Sequence, residues 1–281
     1  MSLHAELPDD AFAEEVSIPT DPVALLASPS PAHAAVVEAL APVRGASVAT
    51  LVRRLTWHRV DGLAWRTLAG LPPEGIDPWL RGTLRRAHQQ RAAATLAQGL
   101  ALAEILEGMA QAAVPVAVLR GLRAIEWIYK DAGTRGFEDH DLLIRPADEA
   151  AAAECLRRLG FDRLAPSLHR RGGVDVDLHV DPLGARRRPS RARLFPIDTP
   201  TLFKRARPGW VSGGPVLLLT DEDDALLMAL HVVKHSFDRL ARTADLAHLV
   251  ATHGRTLSWE GLAERAHTRS HQGRTAVPSS I

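Results

Sequence analysis

The segment 116–144, VAVLRGLRAIEWIYKDAGTRGFEDHDLLI, constrains the fold more than any other part of the chain. A short apolar run ends at Arg120, a helix-like segment follows, and the triplet 139–141 (Asp-His-Asp) leads into a second apolar run. Successive side chains of a strand alternate between its two faces, so Asp139 and Asp141 are expected to point the same way. Two carboxylates this close repel each other unless a cation lies between them. The segment therefore predicts a strand–helix–strand unit with a cation site.

A second acidic pattern occurs at 174–180, VDVDLHV, and predicts another strand. Its Asp175, Asp177 and His179 are expected to share one face. Oxygen ligands on neighbouring strands suit Mg²⁺, which usually binds one or two carboxylates and completes its shell with water and phosphate. A single Asp-x-Asp pattern arises about once by chance in a chain of this length, and a solvated strand end is then the alternative interpretation. The ordered combination of strand, helix and two acidic strands favours the metal site.

This order of elements resembles the uncharacterised nucleotidyltransferase group of the DNA-polymerase-β-type nucleotidyltransferase superfamily. The resemblance covers about residues 45–265. The residues that carry it are Arg120-Gly121, Tyr129, Arg135, Asp139 to Leu143, Leu159-Gly160-Phe161, Asp177-Leu178-His179 and His231 to His235. Two residues depart from the group's pattern. Arg120 replaces a lysine, which keeps the charge but changes its geometry, and His140 replaces an apolar residue that is expected to face the packed side of its strand.

The resemblance implies an α+β fold, in which a small mixed-sheet nucleotidyltransferase core is flanked by N-terminal and C-terminal helical regions. Helices are expected on one side of the sheet. Helical periodicity before residue 113 and the switch to β-branched residues after it support this division. The expected regions are a mobile leader (1–30), an N-terminal helical region (31–113), the core (114–220), a C-terminal helical region (221–267) and a frayed tail (268–281).

The resemblance also implies a reaction, the Mg²⁺-dependent transfer of a nucleoside monophosphate from a nucleoside triphosphate (NTP) to a hydroxyl acceptor, with release of pyrophosphate. The residues expected to hold two Mg²⁺ ions and to be catalytic are Asp139, Asp141 and Asp177. The residues expected to contact the NTP are Arg120, Gly121 and Arg135. A glycine there lets the backbone approach the phosphates, and the arginines would neutralise developing charge.

Two other functions stay open at this point. The chain could be a degenerate member of the group that binds a nucleotide or a partner without turnover, or a helical scaffold whose acidic strands lie far apart on the surface. The acceptor is equally open among a small molecule, a peptide, a protein side chain and an RNA end, and so is the base of the NTP. A net charge of +1 provides no overall electrostatic case for nucleic acid.

The rest of the sequence bears on disulfides, membrane spans and further candidate contacts. The single cysteine excludes an intrachain disulfide and favours a reducing cytoplasm, and no apolar run reaches the length of a membrane span. His231 and His235 are four apart on a predicted helix, a spacing that can bind zinc, although packing or a place beside the acceptor pocket is favoured. Asp245 is expected to pair with one of these histidines, with Arg239 or with Arg242.

Overall fold

The computed structural model describes residues 21–182 and 197–267, so the expected tail 268–281 lies outside the described residues. Five helices come first. They are α1 (Pro22–Ala27), α2 (His33–Leu40), α3 (Ala46–Trp57), α4 (Asp61–Ala69) and α5 (Pro78–Gln111). The long helix α5 begins where the Asp77 carboxylate accepts hydrogen bonds from the amides of Trp79 and Leu80, with Pro78 in the first turn.

The structure departs from the expected leader over residues 22–27, which form α1. Val23, Leu25 and Leu26 of this helix are buried in a core shared with the other N-terminal helices. The Asp21 carboxylate caps α1 and also accepts a hydrogen bond from Arg54 on α3. One helical turn is too short to show an apolar period in the sequence, and residues 1–20 lie outside the described part of the chain.

A five-stranded mixed sheet follows α5. Its strands are β1 (Val116–Leu119), β2 (His140–Ile144), β3 (Asp162–Arg163), β4 (Leu168–Arg171) and β5 (Val174–His179). Their spatial order is β1-β2-β5-β4-β3, and only the β2–β5 pair is parallel. A separate antiparallel pair consists of β6 (Arg207–Val211) and β7 (Gly214–Leu218). The parallel pair places the two acidic patterns of the sequence side by side.

The remaining helices connect and cover these strands. They are α6 (Gly121–Ala124), which continues into a π-helical turn (Ile125–Tyr129), α7 (Glu149–Arg158), α8 (Thr199–Arg205), α9 (Asp221–Lys234), α10 (Leu240–His253) and α11 (Trp259–His267). Helix α9 is capped by Thr220, whose hydroxyl accepts from the amide of Asp223. None of the helices in the two described ranges combines the length and apolarity that crossing a bilayer requires.

The α+β fold is as predicted, but the sheet is covered on both faces. Leu142 and Ile144 pack with α5 and α7, whereas Leu143 packs with Leu227 and Leu230 of α9. The expectation of helices on one side is therefore wrong around β2. After Asp141, the side chains of β2 are apolar on both faces of the sheet. Both faces of this interior strand must therefore be buried.

The expected regional boundaries do not separate independent cores. Leu102, Ile105 and Leu106 from the C-terminal half of α5 belong to the core under the sheet. Met228 and Leu249 from the C-terminal helices are buried together with the N-terminal helices. The N-terminal and C-terminal helical regions thus pack against each other, and the sheet lies beside them.

Candidate active site

Asp141 of β2 and Asp177 of β5 are paired positions of two parallel strands. Paired positions on neighbouring strands project their side chains to the same face of the sheet. Asp139 lies immediately before β2, two residues from Asp141, and is half-buried. The three carboxylates that strand alternation grouped together in the sequence therefore lie at one end of the parallel strand pair.

These carboxylates line a cavity of about 290 Å³. All six residues expected at the site line it: Arg120, Gly121, Arg135, Asp139, Asp141 and Asp177. Single ligand atoms of Asp141 and Asp177 lie within 4.8 Å of each other. The alternative of a helical scaffold requires acidic strands that lie far apart on the surface. Here the carboxylates line one cavity, which is the arrangement that two metal ions about 4 Å apart require.

The far wall of the cavity comes from parts of the chain remote in sequence. Arg59, from the turn between α3 and α4, forms an ion pair of 2.5 Å with Glu138. Arg239 stacks 3.7 Å from the ring centroid of Trp57 and donates a hydrogen bond to the Trp57 carbonyl. Lysine and arginine side chains of α9 and α10 complete this wall. Sequence reasoning missed Arg59 as a cavity residue, since no local pattern brings α3 to the acidic strands.

Asp141 has both of its oxygens engaged. Its Oδ2 accepts from Arg120 Nη2 at 2.6 Å and Nε at 3.1 Å, and its Oδ1 lies 2.6 Å from His179 Nε2. Burial alone would raise the pKa of Asp141, but the charge of Arg120 and the hydrogen bond from His179 outweigh burial and hold the pKa well below its usual range. Asp141 is therefore ionised at neutral pH, with Arg120 as its neighbouring cation.

Arg120 and Gly121 turn the chain from β1 into α6 through a left-handed backbone. Their φ angles are 53° and 42° respectively. A positive φ suits glycine and is unfavourable for arginine, so the conformation of Arg120 is strained. The turn holds the Arg120 guanidinium against Asp141 and brings the Gly121 backbone to the cavity surface.

Asp139 has the opposite electrostatic character. Burial and the negative charges of Asp141 and Asp177 raise its pKa to about 6. Asp139 and Asp141 are two residues apart, yet one is driven towards protonation and the other away from it. Carboxylates pushed apart in pKa within one cleft are typical of functional sites. Part of the cost of charging Asp139 is repulsion from the other two carboxylates, which a bound cation would remove.

The raised pKa of Asp139 leads to a prediction of how the stability of the metal-free protein depends on pH. Its folded-state pKa of about 6 exceeds the ordinary aspartate value of 3.8, so the folded protein binds this proton more tightly than the unfolded chain does. Ionising Asp139 therefore costs stability as pH rises through this window, and the full cost applies above it. We expect the free energy of unfolding of Asp139→Asn to exceed that of wild type by about 1–2 kcal/mol at neutral pH, a value reduced for partial exposure.

The measurement for Asp139 is chemical denaturation with a chelator present, at about pH 4.5 and about pH 7.5. The advantage of Asp139→Asn should shrink at the lower pH, where Asp139 of the wild type is protonated. Equal differences at both pH values would mean that Asp139 carries no destabilising charge.

His179 joins the acidic residues as a third potential ligand. One atom each from Asp141, Asp177 and His179 form a group whose members all lie within 4.8 Å of one another. The Oδ1 atom of Asp177 is buried and has no hydrogen-bond partner among the described residues. A buried carboxylate oxygen without a partner is costly unless it is neutralised, so this donor set fits a divalent cation. The sequence placed His179 on the face of Asp177, but did not assign it to the site.

Asp175, on the same strand face, is directed elsewhere. Both of its oxygens accept from Arg170 at 2.5 Å. Asp175 does not belong to the potential ligand group found in the two described ranges.

Arg135 lines the cavity, and its guanidinium group is anchored by a buried carboxylate, that of Asp245. Its Nε donates to both carboxylate oxygens of Asp245 at 2.8–2.9 Å, and the Tyr129 hydroxyl donates to Asp245 Oδ1 at 2.7 Å. Asp245 and Tyr129 are buried, and Arg135 is nearly so. The expectation that Asp245 pairs with a histidine, Arg239 or Arg242 is wrong. Its partners come from the core domain, at sequence separations that helix periodicity cannot reveal.

His231 and His235 lie beside this cleft, as the favoured interpretation of their spacing expected. Their ring centroids are 4.5 Å apart, and Arg242 Nε donates to His231 Nε2 at 3.3 Å. Burial and nearby Arg120 lower the pKa of His231 to about 2, so its imidazole is neutral. Neither histidine is part of the group of potential metal ligands identified in the described chain.

His140 faces the packed side, as expected from its place between the two aspartates. It is 2% exposed, its ring lies 5.5 Å from that of Phe137, and burial lowers its pKa to about 4. Its Nε2 has no hydrogen-bond partner among the described residues. The neutral imidazole therefore replaces an apolar side chain without adding charge beneath the site.

A mixed-sheet core with paired carboxylates and arginines in one cleft is typical of enzymes that act on nucleoside triphosphates through divalent cations. The comparisons agree. A family model described as "Uncharacterised nucleotidyltransferase" matches residues 45–272. Because this match spans most of the chain, the protein belongs to that family and is an enzyme of nucleotidyl transfer.

Similarity to characterised proteins is otherwise distant. The solution structure of the antibiotic-resistance factor ANT(2'')-Ia matches with a TM-score of 0.45 and 15% sequence identity, over 63% of this chain and 94% of that chain. No curated protein matches the sequence.

Proposed function

We propose that the protein transfers a nucleoside monophosphate from an NTP to a hydroxyl acceptor and releases pyrophosphate, with Mg²⁺ as its cofactor. The observation that carries the proposal is the pairing of Asp141 with Asp177 on parallel strands, in a cleft that Arg120 and Arg135 also line. Carboxylates for metal and guanidinium groups for phosphate are the groups that nucleotidyl transfer requires, and they converge here.

Asp139, Asp141 and Asp177 would hold two Mg²⁺ ions. Bound Mg²⁺ supplies charge stabilisation at the phosphates and lowers the pKa of the attacking hydroxyl. Asp141 could bind both ions, because it is two residues from Asp139 in the chain and is paired with Asp177 on the neighbouring strand. Burial is the largest cause of the raised pKa of Asp139, and metal binding would relieve the second cause, repulsion from the other two carboxylates.

Arg120, Gly121 and Arg135 would bind the triphosphate. Arg120 is ion-paired with Asp141 and would exchange this carboxylate for phosphate oxygens when Asp141 binds metal. Arg135 is oriented by Asp245, which accepts from its Nε, and the residue lines the cavity. Gly121 adopts a φ of 42° and presents backbone, with no Cβ, to the same space.

The direct test is incubation with each α-labelled NTP and Mg²⁺, with pyrophosphate release as the readout. Candidate acceptors are small alcohols, hydroxyl-bearing peptides and proteins, and RNA ends. We expect pyrophosphate release that requires the metal and transfers label to one class of acceptor. Labelled NTP that stays intact with every class, while binding to the protein is demonstrated, would contradict the transfer reaction.

Asp177→Asn is expected to lower turnover much more than nucleotide affinity. If Asp177 serves the metal at the attacking oxygen, its loss acts in the transition state, and we expect turnover to fall by about 100-fold or more with a Kd within about threefold of wild type. The measurement is nucleotide titration beside pyrophosphate release. Asp175→Asn is the matched control, because Asp175 is on the same strand face but pairs with Arg170. Wild-type turnover in Asp177→Asn with a loss in Asp175→Asn would reverse the assignment.

A second candidate function is nucleotide or partner binding without turnover. The ion pair between Arg120 and Asp141 favours it, because a guanidinium already occupies one oxygen that a metal ion would need. This candidate predicts nucleotide binding that is independent of Mg²⁺ and is retained in Asp141→Asn. Metal-dependent binding with pyrophosphate release would exclude it.

A further inference from the structure

His179 is the cleft residue whose chemistry differs most from an all-carboxylate Mg²⁺ site. It is the last residue of β5 and lies two positions after Asp177, on the same strand face. Its Nε2 lies 2.6 Å from Asp141 Oδ1 and 3.4 Å from Asp177 Oδ2. Nε2 carries at most one hydrogen, so it can donate to only one of these oxygens at a time.

The spacing of the three atoms matches ligands of a single ion. Adjacent ligands at right angles, each about 2.1 Å from a metal, lie about 3 Å from each other. The two distances from His179 Nε2 bracket that value, and all three ligand atoms are within 4.8 Å of one another. Asp139 lines the same cavity but is not part of this compact group.

We propose that His179 is itself a metal ligand, so that Asp141, Asp177 and His179 form a mixed nitrogen–oxygen site that binds Mn²⁺ in preference to Mg²⁺. The proposal rests on the proposed function, because it refines the identity of one ion in the same cleft. Mg²⁺ is a hard cation that binds oxygen ligands almost exclusively; Mn²⁺ also favours oxygen ligands, but as a first-row transition metal it accepts an imidazole nitrogen more readily than Mg²⁺ does. A nitrogen donor thus adds more to the affinity for Mn²⁺ than to that for Mg²⁺.

The neighbourhood of His179 supports coordination over a purely structural role. The ring is largely buried, with 15% of its side chain exposed, so its position is restricted. Asp177 Oδ1 has no hydrogen-bond partner among the described residues, although its carboxylate adjoins the imidazole. A cation bound by all three side chains would satisfy both carboxylates together, which a single N–H donor cannot do.

The test is pulsed electron paramagnetic resonance on the full-length protein loaded with Mn²⁺, with ¹⁵N-labelled histidine. We expect one directly bound histidine nitrogen in wild type. His179→Gln should lose this nitrogen coupling and bind Mn²⁺ about tenfold more weakly, while its Mg²⁺ affinity changes little. His235→Gln, a substitution in the same cavity outside the ligand group, should retain the coupling.

Mn²⁺ bound to wild type without a nitrogen coupling, or a coupling that persists in His179→Gln, would overturn the proposal. Either result would leave Mg²⁺-dependent nucleotidyl transfer by the carboxylates intact. Conversely, a histidine coupling in a protein that never releases pyrophosphate would retain the ligand assignment and count against the proposed reaction. An Mn²⁺-to-Mg²⁺ affinity ratio that is the same in wild type and His179→Gln would also overturn it.

Discussion

Asp141→Asn is expected to abolish metal-dependent nucleotide binding and to lower turnover by about a thousandfold or more. Asp141 is the carboxylate that touches both Arg120 and His179 and pairs with Asp177 across the strands. An amide cannot replace the negative charge that two divalent ions require. Its oxygen can still accept from Arg120, so the fold should persist.

Thermal denaturation with and without Mg²⁺ and nucleotide measures this effect. Ligand at about 100 times its Kd stabilises a folded protein by about 2.7 kcal/mol, which should raise the Tm of wild type by several degrees. We expect this increase to vanish in Asp141→Asn and to remain in Asp175→Asn, whose carboxylate pairs with Arg170. Equal increases in wild type and Asp141→Asn would remove Asp141 from the nucleotide site.

Asp245→Ala is expected to destabilise the protein by about 3–5 kcal/mol, the largest effect on stability predicted here. Asp245 is the common acceptor for the Arg135 guanidinium and the Tyr129 hydroxyl, and its own side chain is 7% exposed. Removing the carboxylate leaves a buried cation and a buried hydroxyl without their acceptor. It also breaks a link between α10 and the segment that carries the cleft arginine.

Urea denaturation checks this prediction against Asp238→Ala. Asp238 also accepts from an arginine, Arg242, but its side chain is 50% exposed, so its loss should cost about 1 kcal/mol or less. A similar loss of stability in both variants would show that burial does not set the strength of the Asp245 contacts. Tyr129→Phe should cost an intermediate amount, about 1–2 kcal/mol, because it removes one donor and leaves the ion pair.

Most of the acidic residues at the site could be predicted from the sequence, because the alternation of side chains along a strand is a local property. The two-residue spacing of Asp139 and Asp141 predicts that both carboxylates lie on one side of the chain, and both residues line the cavity although Asp139 lies just before β2. The same rule relates Asp177 to His179. A metal shared by the acidic residues required their strands to be neighbours, and β2 and β5 are adjacent; that they run parallel is a result of the structure. Short helix α1 escaped the same reasoning, since a single turn has no measurable period.

The sequence by itself determined the α+β class, the acidic strands and the family to which the chain belongs. Only the tertiary structure decided which charge neutralises which. Asp245 bonds to Arg135 across 110 residues of chain, and Arg59 reaches Glu138 across 79. Pairs this distant depend on how the helical regions pack around the sheet, and no periodicity in one sequence specifies that packing. The paired aspartates were therefore predictable from spacing, whereas the buried support for Arg135 and the far wall of the cleft followed only from the fold.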